Sequence, residues 1–287
     1  MYHDPKPEIF AKQLQYLSKH YHFISLDALV DAIHTKDESK IPPKSLVVTI
    51  DDGYLGNYKL LSLFKAHQIR PTIYLCTQIV NTDRHFWFKA NHLNEHKHKK
   101  YREFLKGLDT KKRIARLRKD FNYEPQEQYS NRQALNLHEL VEMGYYVDFQ
   151  PHTQFHPILP ACTREVCEKE IGGSKRDLET LLNGTCTHFS YPNGNYTERE
   201  INIIKRCGYQ SARSLDRGWN HINSDPYRLK VINLTDDASV NQLIAQMSGV
   251  AEFLKYYLNL PPYNFKKHIW QADREKAEST RDRLRGG

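Results

Sequence analysis

The sequence predicts an α/β fold, a closed or nearly closed (β/α) barrel of parallel strands with helical crossovers. Strand-like and helix-like segments alternate along most of the 287 residues, which is the pattern of a parallel sheet with helices between its strands. More than five such units in one chain of this length favour a barrel over an open sheet. We therefore expect functional residues just after the carboxyl ends of strands.

Each element is predicted from its own local pattern. Residues 7–20 carry apolar side chains at helical spacing, and Ser25 is the expected N-cap of a helix through Ile33. Residues 45–50, SLVVTI, are apolar and β-branched, which is typical of a strand buried on both faces. Further strands are predicted at about 22–25, 71–77, 145–149, 187–191, 209–212 and 229–234, and further helices at about 57–67, 137–143, 163–182, 197–206 and 239–258.

A basic segment interrupts this alternation at about 83–132. We expect one domain over 1–287, with this segment as a helical insertion between two barrel strands. Two interpretations stay open: a solvated charged face, or an electropositive collar that attracts an anionic carrier or membrane surface. The basic residues concerned are Lys97, Lys99, Lys100, Lys111, Lys112, Arg113, Arg116, Arg118 and Lys119.

The composition excludes several classes of protein. About 39% of the residues are hydrophobic, as in a soluble globular domain, and no apolar run approaches the roughly 20 residues of a membrane span. Five cysteines without a CxxC pair argue against a disulfide framework or a cysteine zinc site. With no secretory signal visible, we expect a cytoplasmic protein, with peripheral attachment to a membrane as an alternative. Despite the net charge of +8, no base-reading motif predicts a nucleic-acid partner.

The first cluster with chemical potential is the pair Asp51 and Asp52, directly after the predicted strand 45–50. Two adjacent buried carboxylates repel each other and lose hydration. A structural explanation exists for one of them, because an Asp can cap the next helix while Gly53 makes the turn. It does not explain both, whereas a bound metal ion would relieve the repulsion.

The second cluster is His152 and His156, which also follows a predicted strand. Two histidines four apart on one helical turn face the same way and can share a metal. Together with one Asp they provide three ligands and leave a position for water, the pattern of catalytic zinc. The spare carboxylate could then take a proton from that water.

A third segment, Ser190 to Gly194 with the sequence SYPNG, follows a further strand and on its own predicts only a turn. The order TIDDGY, HTQFHP and SYPNG resembles the polysaccharide deacetylases, carbohydrate esterase family 4, from about Ser45 to about Tyr209. The N-terminal YHDPKPEIF and the HFWF of the insertion look like members that serve bacterial surface-polysaccharide synthesis.

This resemblance implies a distorted (β/α) barrel and a metal-dependent deacetylation of N-acetylated sugars, free or carrier-linked. It implies Asp51 as the base and Asp52, His152 and His156 as ligands of one divalent ion, zinc first, with cobalt, nickel or manganese as alternatives. It also implies that the turn lines the groove and that the Asn193 N–H stabilises the oxyanion. The residues of that turn are Tyr191, Pro192 and Asn193.

The sequence departs from the family pattern at two places that matter for chemistry. Ser190 stands where the family often has the Arg that orients the base. The LxxH motif that supplies the general-acid His is missing, so the acid is expected to be His188, His221, a water or absent. An amidase acting on a non-sugar C–N bond, or a glycan-binding protein with little turnover, remain alternatives.

Overall fold

Parallel strands form the centre of the structure, a computed structural model that describes residues 1–92 and 99–250. Within these ranges there are eight strands, all parallel to their neighbours, in three small sheets of order β1-β2, β3-β4-β5 and β6-β7-β8. Their bounds are β1 His22–Phe23, β2 Ser45–Leu46, β3 Thr49–Ile50, β4 Thr72–Leu75, β5 Asp148–Pro151, β6 His188–Ser190, β7 Ser211–Arg217 and β8 Leu229–Val231.

Helices connect the strands and cover them. Their bounds are α1 Pro7–His20, α2 Leu26–Thr35, α3 Leu61–Ala66, α4 Lys99–Lys106, α5 Thr110–Phe121, α6 Leu137–Met143, α7 Arg164–Leu182, α8 Glu198–Arg206 and α9 Val240–Met247. The alternation of parallel strands with helices is that of a (β/α) barrel, and the barrel is distorted because its short strands fall into separate sheets. No helix of residues 1–92 and 99–250 has the length and apolar character needed to cross a membrane.

The N-terminal residues lie between two of these sheets. Tyr2 forms a parallel bridge with Ile50, donating its N–H to the Thr49 carbonyl and accepting from the Asp51 N–H. On the other side, the Met1 carbonyl accepts from the N–H of Leu234, just beyond β8. Residues 1–3 thus connect β3 with the chain after β8, an arrangement that the sequence pattern did not predict.

Several elements were predicted closely. Helices α1 and α6 begin and end where expected, and the Ser25 hydroxyl caps α2 by accepting from the Ala28 N–H. The single strand expected at 45–50 is wrong. It is two strands, because β2 pairs with β1 while β3 pairs with β4, so the run passes from one sheet to another.

Other helices and strands begin at different residues from those predicted. The helix expected at 57–67 starts as a 3-10 helix over Leu55–Leu60, before α3. The strand expected at 145–149 begins only at Asp148, because the exposed Tyr145 and Tyr146 belong to the turn after α6. Lys97 and the part of helix 239–258 beyond residue 250 lie outside the described residues.

The basic segment lies between β4 and β5 and contains α4 and α5. These helices enclose an apolar cluster that is shared with the chain after His156, through Ile158 and Ala161. Residues Met1–Val240 form one compact unit. The expectation of a single domain over 1–287 stays a prediction.

Candidate metal centre

The two adjacent carboxylates lie where β3 ends. Asp51 and Asp52 are both buried, with 4% and 3% of their surface exposed. The chain turns sharply here, since Asp52 and Gly53 both have a φ of 74°. A Cβ on Gly53 would lie 2.4 Å from the Leu75 Cδ2, so this position needs glycine. The turn directs two acidic side chains into the same end of the barrel.

The two histidines follow β5, but the expectation of a helical turn between them is wrong. No helix is present from His152 to Pro157. The loop is shaped instead by left-handed residues, with a φ of 68° at Thr153 and 54° at His156. The Glu170 carboxylate of α7 fixes this loop by accepting from the N–H groups of residues 154 and 155. Both imidazoles still reach the same carboxylate.

Three side chains converge as the sequence predicted. The Asp52 Oδ1 lies 3.7 Å from the His152 Nε2 and 3.6 Å from the His156 Nε2. Ligand atoms around a tetrahedral zinc ion are about 3.3 Å apart, given metal–ligand bonds of about 2.0–2.1 Å. The Asp52 Oδ1 is also buried without a hydrogen-bond partner in the described part of the chain. The donor set and this unpaired oxygen therefore fit a divalent metal ion.

The protonation of the histidines suits this role. Burial lowers the pKa of His152, and burial together with the neighbouring His152 lowers the pKa of His156 well below its usual value. Both rings are therefore neutral at pH 7 and able to donate a lone pair. The His152 Nδ1 lies 2.8 Å from the Ser190 carbonyl oxygen, so an N–H there leaves Nε2 free to face Asp52.

The other carboxylate, Asp51, is held by an arginine that sequence reasoning missed. Arg213 of β7 donates to both oxygens of Asp51 and to the Ser190 hydroxyl. Burial alone would raise the pKa of Asp51, but the charge of the neighbouring Arg213 guanidinium brings it below its usual value. Asp51 is thus ionised and oriented beside the cluster, 4.0 Å from the His152 Nε2.

Arg213 also accounts for the serine at position 190. Ser190 and Arg213 are direct register partners on β6 and β7. The guanidinium that the resemblance places at 190 therefore comes from the neighbouring strand. The signal available in the sequence was an arginine directly after the strand predicted at 209–212, but its target depends on the register.

The residues of the third segment, Tyr191, Pro192 and Asn193, differ in their surroundings. Tyr191 is buried and donates its hydroxyl hydrogen to the Tyr227 carbonyl. Pro192 is buried as well. Asn193 is left-handed, with a φ of 54°, and within the described residues its N–H has no acceptor. The role of oxyanion donor that the resemblance implies for the Asn193 N–H stays a prediction.

Of the two histidines proposed as general acid, His188 lies at the start of its strand and His221 lies in an exposed loop. His188 begins β6 and bonds to Asp27 and Ser211, each at 2.9 Å. Its ring lies near the side chain of Asp148, at the start of β5. Asp148 precedes His152 by four residues, which corresponds to roughly 13 Å along an extended strand. His221 is exposed in the loop between β7 and β8 and accepts from the Asn223 N–H. Neither placement supports the acid role.

A different histidine, His3, lies next to the carboxylates. The bridge between Tyr2 and Ile50 brings it beside β3, and Asp236 accepts from its N–H while Asn57 donates to its carbonyl. Burial raises the pKa values of Asp51 and Asp52, and His3 is one of the groups whose charge lowers them. The sequence alone gave no signal for His3, because only the topology places it there.

The site can be compared with known proteins. The sequence model of the family described as Polysaccharide deacetylase matches residues 38–212, more than half of the chain. YxkH of Bacillus subtilis, whose name assigns it to the polysaccharide deacetylases, is 20% identical over 203 residues. That alignment covers 70% of this chain and 56% of the relative, so the chain spans little more than half of that protein's length.

Solved structures share the fold. The Streptococcus pyogenes deacetylase PplD, in complex with acetate, superposes with a TM-score of 0.61 at 20% identity, covering 84% of this chain and 86% of that one. IcaB from Ammonifex degensii superposes with a TM-score of 0.61 at 16% identity, covering 85% and 93%. At these identities the likeness establishes the distorted barrel, as predicted.

Proposed function

Because the chain belongs to the polysaccharide deacetylase family, we propose that it is a metal-dependent hydrolase that removes the acetyl group from an N-acetylated sugar. The substrate is a polysaccharide, an oligosaccharide or a carrier-linked glycan. One observation carries the proposal: Asp52, His152 and His156 converge within ligand distance while Asp51 is held ionised beside them. A protein that only binds glycans has no need of the ionised second carboxylate.

Each group of residues in the site has a separate role in the proposed reaction. Asp52, His152 and His156 hold the ion, for which we propose zinc, because two neutral imidazoles and one carboxylate are ligands of borderline softness. A divalent cation held there supplies Lewis-acid chemistry, polarising the acetyl carbonyl and acidifying a water. Asp51 accepts the proton of the attacking water, and the Asn193 N–H donates to the oxygen that gains negative charge.

Acetate release tests this function. The purified chain should release acetate from N-acetylated oligosaccharides, lose this activity after chelation and regain it with added zinc. Cobalt, nickel and manganese are compared in the same assay, and a non-sugar N-acetyl amide serves as the competing substrate. Turnover of the amide alone would favour an amidase, and glycan binding without acetate release would contradict the enzyme.

We also propose that the substrate is presented on an anionic carrier or membrane surface in the cytoplasm. Residues 99–121 contain ten Lys or Arg and three Asp or Glu. Several of these lysines are exposed, among them Lys100, Lys111 and Lys119. Phe104 is 51% exposed on α4 among these cations, and an aromatic ring surrounded by basic residues suits an anionic interface.

Charge reversal tests this proposal. Replacing Lys100, Lys111 and Lys119 by Glu should weaken association with vesicles containing anionic lipid, more at low salt than at high salt, because salt screens exposed charges. Each charge near such a surface is worth about 1 kcal/mol. The control carries Glu at three exposed lysines outside the insertion, Lys12, Lys19 and Lys36. Equal loss of binding in both variants would mean that only net charge matters.

A further inference from the structure

The segment Phe86–Lys89 of the insertion contacts both loops that carry the proposed metal ligands. On one side, Phe86 packs edge-on against Tyr54 with ring centres 5.0 Å apart, and the Lys89 ammonium lies 3.4 Å from the centre of the Tyr54 ring. Tyr54 follows Asp52 by two residues and its hydroxyl interacts with that carboxylate. The segment therefore supports the Asp52 loop through Tyr54.

On the other side, the same segment contacts His156 directly. The Trp87 Nε1–H donates to the His156 carbonyl over 2.9 Å, and the Phe88 ring lies edge-on to the imidazole at 4.8 Å. His156 is left-handed, so its carbonyl and side chain take directions that few non-glycine residues adopt. A backbone of this kind persists only where its surroundings fix it, and the indole N–H is such a constraint.

Trp87 is itself fixed by the rest of the insertion. It is 3% exposed, within the cluster that contains Leu105 of α4 and Leu117 of α5. The buried Arg113 guanidinium lies 4.7 Å from the centre of the indole ring. The position of the indole N–H is thus set by the two insertion helices, which pack on the same chain segment that follows His156.

We propose that Trp87 is a positioning residue for His156, and that the insertion serves to fix this arm of the metal site. This inference rests on the proposed function in one respect, that His156 is a metal ligand. Partners of this kind around a metal site typically change metal affinity by 10- to 100-fold when removed. The insertion then helps to fix a proposed metal ligand, and this role does not depend on what its exposed lysines bind.

The test compares Trp87→Phe with Trp219→Phe. The first keeps a ring but removes the N–H donor, and the second changes a tryptophan that is 54% exposed in the loop after β7. After chelation, the metal-free chains are titrated with zinc against a competing chelator and with cobalt while the absorption spectrum is recorded. We expect about 10-fold weaker zinc binding and an altered cobalt spectrum for Trp87→Phe only, with its melting temperature recorded alongside.

Phe88→Leu provides a second variant if Trp87→Phe does not fold, because Phe88 is only partly buried and its ring touches the imidazole. It should weaken zinc binding in the same direction. Folded variants that bind zinc as tightly as the unchanged chain, with the same cobalt spectrum, would overturn the positioning role alone. An unchanged chain that binds no metal would overturn the proposed function as well.

Discussion

Asp51→Asn should retain the metal and lose turnover, whereas Asp52→Asn should lose both together. The two side chains are chemically identical neighbours, but only Asp52 lies within 3.7 Å of both ligand nitrogens. Asp51 instead pairs with Arg213, which holds the carboxylate oriented in its ionised form, the form that accepts a proton. Removing a general base reduces turnover by roughly two to four orders of magnitude, and we expect a loss of this size for Asp51→Asn.

The response to added metal separates the two roles. Excess zinc should partly restore Asp52→Asn, since two histidine ligands remain, and should leave Asp51→Asn unchanged. Metal content and acetate release are measured on the same preparations. The control is Asp237→Asn, which changes an exposed residue that also belongs to an adjacent Asp pair. Loss of the metal in Asp51→Asn with retention in Asp52→Asn would reverse the assignment.

The convergence of the three proposed metal ligands could be predicted because each group is local in sequence. Asp52 and His152 lie within two residues of the end of a strand, and His156 is four residues further along the second loop. Parallel strands bring such positions to one end of a barrel. Even so, the expected helical turn was wrong, because the convergence of His152 and His156 depends on left-handed residues. A backbone conformation of this kind has no clear sequence pattern in non-glycine residues.

The supporting residues could not be predicted because they come from distant parts of the chain. Arg213 reaches Asp51 across 162 residues of sequence, and only the register of β6 and β7 reveals that it faces Ser190. His188 shows the opposite case, a histidine next to a motif but at the wrong end of its strand. Sequence proximity to a motif therefore indicated which side chains converge in the proposed metal site, but it did not indicate the residues that support them.

We propose His3 for the general-acid role that the missing C-terminal histidine motif left open. Two backbone hydrogen bonds, to Asp236 and from Asn57, hold residue 3 beside the carboxylates. In the described residues it is the histidine, other than the metal ligands, whose charge acts on both Asp51 and Asp52. We therefore expect His3, rather than His188 or His221, to protonate the departing amine.

His3→Gln should lower kcat for N-acetylated sugars by roughly two to four orders of magnitude, the usual contribution of a general acid. An aryl acetate ester should be hydrolysed by the variant at nearly the rate of the unchanged chain, because its phenolate leaves without protonation. Metal content should not change, since His3 is outside the ligand set. His221→Gln, which changes an exposed histidine, is the control and should affect neither substrate. Equal slowing of amide and ester would instead place the role of His3 in attack by water, and unchanged amide hydrolysis would exclude it from the reaction.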